Sequence, residues 1–210
     1  MKFRLIAILV LVVLVAGAGL YGWWSLDLRW RPKDITRNQA EITEILEQSG
    51  WVSPGFQGPK LYMIGFRSCP DCMLFKLTVW PELHAAGVDT RLIEVARADL
   101  NGMPQSTPIE RSTVAELWVN RSWALSERWD ATPVDAWTAE GITPADQDVA
   151  RRAVIEAGRN MVAELTPLLR ANGINFAYPL LIWWDKDGQM RGCACESART
   201  HGHVVRELTS

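Results

Sequence analysis

The first pattern along the chain is an unbroken apolar run. No charged residue occurs from Leu5 to Leu20, and Tyr21, Gly22, Trp23 and Trp24 extend the run. About 20 such residues are enough for a helix to cross a bilayer. Lys2 and Arg4 precede the run and aromatics close it, the order of a span whose N-terminus stays inside. The pattern therefore predicts a transmembrane anchor over residues 1–24. A cleaved signal peptide competes with it, since Ala16-Gly17-Ala18 resembles a small-residue cleavage site. The apolar character that continues into the Trp pair favours the anchor. On either reading residues 25–210 are exported.

Past the run the period changes. Ser25 to Lys33 is polar, and from Asp34 to Ser49 the spacing is helical, with Asp34 as cap and Ile35, Ile42, Ile45 and Leu46 on one face. Residues 25–57 thus read as a linker and an amphipathic helix. Leu61 to Phe66 is a buried strand, a helix starts at Pro70, and it ends or kinks at Trp80-Pro81. Gly87 stops the following turn and Val88–Val95 is a second strand. Strand–helix–strand with short connections is a βαβ unit, which crosses right-handed onto a parallel neighbour.

A helical region follows. One helix is predicted over Glu110–Asp130, with Val114, Leu117, Trp118, Leu125 and Trp129 inward. A second is predicted near Asp148–Arg170, with Val149, Ala153, Val154, Ala157, Met161, Leu165, Leu168 and Leu169 as its stripe. The chain closes with the strand Leu180–Trp184, an Asp-Gly turn at Asp185–Gly188, a short run Gln189–Gly192 and a helix from about Glu196. The Asp-Gly turn between β runs is a hairpin signal. The fold class is α/β, with a domain over 58–210 that carries a helical insertion at about 100–173.

Composition alters this little. A formal net charge of −2 over 210 residues and the lack of a basic run leave no electrostatic footprint for nucleic acid. Eleven tryptophans are scattered along the chain, and most read as core packing. His84 reads as a helix-surface histidine.

The chemistry sits at Cys69-Pro70-Asp71-Cys72, where the first strand turns into its helix. There the leading N–H groups lack intrahelical partners and the helix dipole presents positive charge. Both favour a thiolate, the nucleophile of disulfide exchange. Half a zinc site or an inert disulfide are the competing readings, and the strand–helix context lowers both. Arg67 is expected to depress the Cys69 pKa and Asp71 to raise it. No cofactor and no metal site are expected. Cys193-Ala194-Cys195 is a second pair with three readings. It is a relay to the first pair, a metal site with the first pair or with His201 and His203, or a local disulfide without a role. A disulfide closed over a single residue departs from ordinary geometry and is readily reduced, which favours redox use if it forms.

The order of strand, CxxC, helix, strand, helical insertion, X-Pro, hairpin and helix resembles the thioredoxin-like superfamily. Within it the chain looks like the periplasmic thiol–disulfide oxidoreductases of DsbA and DsbC type, over roughly residues 58–207. The pieces that carry the resemblance are Cys69-Pro70-Asp71-Cys72, Gly87-Val88-Asp89-Thr90-Arg91-Leu92 and Tyr178-Pro179. It implies that Cys69 attacks, that Cys72 resolves, that Pro179 is cis and that Tyr178 and Pro179 guide the substrate chain. Its implied partners are cysteine-containing exported proteins and a membrane or periplasmic redox partner. The implied setting is a single-pass inner-membrane protein with its C-terminal domain in the periplasm, or a soluble periplasmic one if cleaved. A dedicated reductase of cofactor or metal assembly, or a non-enzymatic metal-binding scaffold using the four cysteines, are the alternatives. Two departures stand out. Tyr178 is bulkier than the usual residue before this proline, and Met63 and Ile64 stand where some thioredoxins place a buried acid. Residues 25–57 are also too short for the dimerisation domain of the isomerases.

Overall fold

The computed structural model describes residues 2–209, with side chains from Leu11 to Thr209. It forms two compact units, residues 1–31 and 32–210. In the first, helix α1 (Lys2–Leu26) continues into a 3-10 turn at Leu28–Trp30. Among the described residues this is the one helix long and apolar enough to cross a membrane, and its qualifying stretch, Leu11–Trp30, is unburied. The Arg29 guanidinium lies 5.5 Å from the Trp24 ring and 4.6 Å from the Trp30 ring. Such aromatic and basic side chains suit the boundary between lipid and water.

The second unit is a three-layer α/β domain. Its sheet runs β1 (Lys33–Asp34), β5 (Met190–Ala194), β4 (Leu180–Trp184), β2 (Lys60–Gly65), β3 (Asp89–Glu94). Only β2 and β3 are parallel; the other pairs are antiparallel. Side chains alternate across the sheet with period two. Leu61, Met63, Leu92, Leu181 and Trp183 face one layer, which includes α3 (Pro70–Thr78), α4 (Trp80–Ala85) and α8 (Ala198–Thr209). Tyr62, Ile64, Ile93, Leu180 and Ile182 face the other, made by α2 (Gln39–Gln48) and α7 (Val149–Arg170).

Residues 32–57 are not a linker outside this domain. Lys33 and Asp34 pair with Gly192 and Arg191 as the sheet's edge strand, and Ile35, Ile42 and Leu46 are fully buried beneath α7. Asp34 consequently caps nothing: it is held in β1 with its carboxylate on Arg191. The helix starts four residues later than expected, after Asn38, while the Asn172 side chain accepts the N–H groups of Thr36 and Arg37.

The helix expected over Glu110–Asp130 is two helices, α5 (Pro108–Asn120) and α6 (Trp123–Ala131). Arg121 breaks it with φ 49° and donates to the Ser49 and Trp51 carbonyls, and Ser122 caps α6 by accepting the Leu125 N–H. Along α7 the buried stripe is Ile155, Gly158, Met161, Leu165 and Leu169, whereas Val149 is exposed. The N-terminal half is turned one position from the predicted stripe because Gly158, not Ala157, faces the Trp118 ring.

Candidate active site

Cys69 occupies the N-cap of α3 with an extended backbone (φ −78°, ψ 111°), and Pro70 starts the helix. Proline there has no N–H to leave unpaired, and its φ is already helical. The Cys69 Sγ accepts the Cys72 N–H at 3.1 Å. That bond gives the sulfur one of the donors the helix end leaves free, and it strengthens when the sulfur is an anion. Cys69 and Cys72 are joined as a disulfide with Cα atoms 5.2 Å apart. Cys69 is only 2% exposed, but Ser68 and Pro70 on either side are exposed, so the sulfur lies just beneath the surface.

The sheet brings Pro179 beside this pair. The Tyr178–Pro179 bond is cis. Ile64 pairs with Leu180, so Pro179 stands level with Gly65 at the end of β2. The Cys72 Sγ lies 3.2 Å from where a Cβ on Gly65 would sit, which leaves glycine as the residue that fits without displacing it. Tyr178 is large because it fills a gap: its ring meets Phe66 at 5.0 Å and Phe176 at 5.1 Å, both edge-on. Burial pushes its phenol up to about 12.

Arg67 is engaged at the end of α6. It is buried, pairs with Asp130 at 3.3 Å, donates to the Thr132 carbonyl and lies 5.5 Å from the Trp129 ring. Its charge is thus shared with the Asp130 carboxylate at the end of α6.

Sequence reasoning missed a buried charge cluster under α3. Lys76 lies one turn beyond Cys72, with its Nζ 3.1 Å from Glu94 and 2.8 Å from Asp130. Glu94 ends β3 in register with Gly65, on which Cys72 rests. One of its oxygens is bonded to Lys76 and the other is buried without a hydrogen bond. Burial pushes the Glu94 carboxyl up, against the opposing pull of Lys76. Burial works against the Lys76 ammonium too, yet Glu94 and Asp130 together hold it above the ordinary lysine range. So a buried acid is present after all, on the strand next to the one that leads into Cys69. Its signal was legible as a lone carboxylate closing the apolar run Leu92-Ile93, and a lysine four residues after a half-cystine.

Cys193 and Cys195 form a second disulfide, with Cys193 inside β5 and the Cys195 N–H donated to the Pro179 carbonyl at 2.8 Å. His201 is buried; its Nε2 faces the Cys195 carbonyl at 3.4 Å and its ring meets Phe75 of α3 edge-on at 4.9 Å. Burial holds His201 below its ordinary value, with Cys195 and Asp71 pulling the other way. Among the described residues no group of three or more His, Cys, Asp and Glu is placed to hold a metal ion. The pairing of Cys193 and Cys195 with His201 and His203 as ligands is therefore not assembled. His84 is half-buried on α4 and has partners the sequence did not show: its Nε2 is 2.7 Å from Thr90 Oγ1, and its ring packs near Phe56, Trp80 and Trp123.

No protein-family model matches the chain, and no curated protein matches it in sequence. Solved structures do match. BcfH of Salmonella enterica Typhimurium is 14% identical, with a TM-score of 0.56 over 99% of this chain and 92% of that one. A linker-deletion mutant of Proteus mirabilis ScsC is 12% identical, with a TM-score of 0.53 over 96% of this chain and 92% of that one. The fold is thioredoxin-like. At these identities the likeness is one of backbone course.

Proposed function

We propose that the chain is a thiol–disulfide oxidoreductase, anchored in a membrane by α1, that exchanges disulfides with exported proteins through Cys69 and Cys72. The observation that carries the reading is the Cys69 Sγ at the mouth of α3, accepting the Cys72 N–H at 3.1 Å. In this reading the Cys69 thiolate attacks a substrate disulfide and forms a mixed disulfide, and the Cys72 thiolate then attacks Cys69 and releases the reduced substrate. The same steps in reverse oxidise a substrate dithiol.

Likeness in fold to ScsC and BcfH, which are DsbA-type disulfide oxidoreductases, supports the chemistry. A cleft of about 320 Å³ beside α3, lined by Met73, Leu77, Trp80 and Trp123 among others, supports a protein substrate. Leu77, on its rim, is 71% exposed, an apolar surface suited to the side chains of an incompletely folded chain. The apolar α1 supports placement in the inner membrane with the domain on the periplasmic side, where disulfides persist.

Insulin reduction and oxidation of a cysteine-pair peptide test the activity, with Cys69→Ser as control. The wild-type chain should be active in at least one assay and Cys69→Ser inactive in both. Equal turnover by the two proteins would end the proposal.

A further inference from the structure

The proposed reaction leaves the Cys193–Cys195 disulfide unused, although the sheet sets it next to the first pair. Met63 of β2 pairs with Leu181 of β4, which pairs in turn with Cys193 of β5. Directly paired residues project to the same face. Two residues further along the strands, the next row on that face is Gly65, Pro179 and Cys195. The row is tied together by the Cys195 N–H on the Pro179 carbonyl, and Cys72 lies against Gly65. Neighbouring strands are about 4.8 Å apart, so roughly 10 Å separates the Gly65 and Cys195 backbones, with Pro179 between them. The Cys72 sulfur lies against one end of that interval, and the Cys193–Cys195 disulfide stands at the other. All four half-cystines belong to one buried cluster, and Cys195 is fully buried. His201 spans the same interval, touching Phe75 on the CxxC helix and facing the Cys195 carbonyl.

We propose that Cys193–Cys195 is a second redox centre that exchanges its disulfide with Cys69 and Cys72 within the chain. The proposal rests on the oxidoreductase reading above and gives that enzyme a store of one further disulfide. The Cys69 thiolate attacks the Cys195 sulfur: the Cys69–Cys195 bond forms, the Cys193–Cys195 bond breaks, and Cys193 leaves as a thiolate that takes up a proton. The Cys72 thiolate then attacks Cys69: the Cys69–Cys72 bond forms and Cys195 leaves, to be protonated in turn. Two electrons and two protons pass from the first pair to the second. The exchange is reversible and needs no outside oxidant.

The test begins with the full chain carrying Cys72→Ser and Cys193→Ser, treated with oxidised glutathione, digested and read by mass spectrometry. A Cys69–Cys195 cross-link in most chains is expected. Chains that keep glutathione on Cys69 and a free Cys195 thiol would overturn the relay. Because two serines in a buried region can unfold the chain, the exchange is also read in the unaltered protein. Mixed with an excess of a reduced peptide that holds two cysteines, the fully oxidised wild type should yield two equivalents of oxidised peptide per chain. The Cys193→Ser/Cys195→Ser chain should yield one. A single equivalent from wild type overturns the relay and leaves the oxidoreductase reading intact. A cross-link without any peptide oxidation supports the relay and counts against that reading instead.

Discussion

Lys76 and Glu94 show how one buried pair links the fold to the candidate site. Their side chains are 6% and 1% exposed, and Asp130 adds a second acid at 2.8 Å from the ammonium. Removing one partner of a buried pair leaves the other charge uncompensated, at a cost of about 3–5 kcal/mol. Lys76→Met should therefore lower the urea-unfolding free energy by about that much at neutral pH. The sign of its pH dependence follows from Glu94. Burial already raises that carboxyl, and loss of Lys76 raises it further, so the folded state takes up the proton more readily than the unfolded one. The deficit of Lys76→Met should shrink as the pH falls through the carboxylate range. A deficit that stays constant from pH 7 to pH 4 would show that the pair is not what the mutation breaks.

His201 titrates the other way. Burial depresses it below 6.5, although the Cys195 carbonyl and Asp71 oppose the shift. Stability tied to its neutral ring is complete above pH 6.5 and is lost as the pH falls toward the folded value. His84 is depressed by burial as well and contributes to the wild-type slope, so the comparison is with His201→Phe, which keeps a ring against Phe75. Between pH 7 and pH 5 the urea midpoint of wild type should fall more than that of His201→Phe. Parallel curves would remove His201 from the account.

At the scale of elements, Trp118 of α5 sets the packing of the insertion on the domain. Its indole Nε1 donates to the Glu94 carbonyl at 2.8 Å, and its ring lies against Gly50 and Gly158. A Cβ on Gly50 would fall 2.2 Å from the ring carbons, so Gly50→Ala has to displace Trp118. Overpacking of this kind costs about 1–3 kcal/mol, and the thermal midpoint of Gly50→Ala should drop accordingly. An unchanged midpoint would mean that the indole is not wedged there. The same contact explains what periodicity alone hid. The stripe of α7 follows Gly158 because a tryptophan from another element occupies the space a larger side chain would need, and apolar spacing within α7 carries no record of that. The break at Arg121 was hidden for a similar reason: the guanidinium's partners are the Ser49 and Trp51 carbonyls, some 70 residues away in the chain. By contrast, β2, α3, β3 and the closing hairpin were legible because local signals agreed there: alternation, proline at the first helical position, and Gly188 with φ 74° in the turn.

Over the whole molecule, the order of elements was enough to suggest the thioredoxin-like frame, and the cis Tyr178–Pro179 bond was expected from that resemblance alone. The edge strand β1 was not legible, since two residues give no alternation and their pairing partners come from the far end of the chain. The frame concentrates four half-cystines, a buried lysine–carboxylate cluster and a buried histidine around one end of a five-stranded sheet. Everything functional in the account requires that Cys69, held at the N-terminus of α3, be the more acidic and more nucleophilic thiol of the pair. Alkylation of the reduced full-length protein by iodoacetamide across a pH series, with each cysteine quantified by mass spectrometry, measures this directly. Cys69 should be modified before Cys72, with an apparent pKa well below the free-cysteine value of about 8.5. A Cys69 that titrates at or above that value, or that reacts no faster than Cys72, would contradict the account.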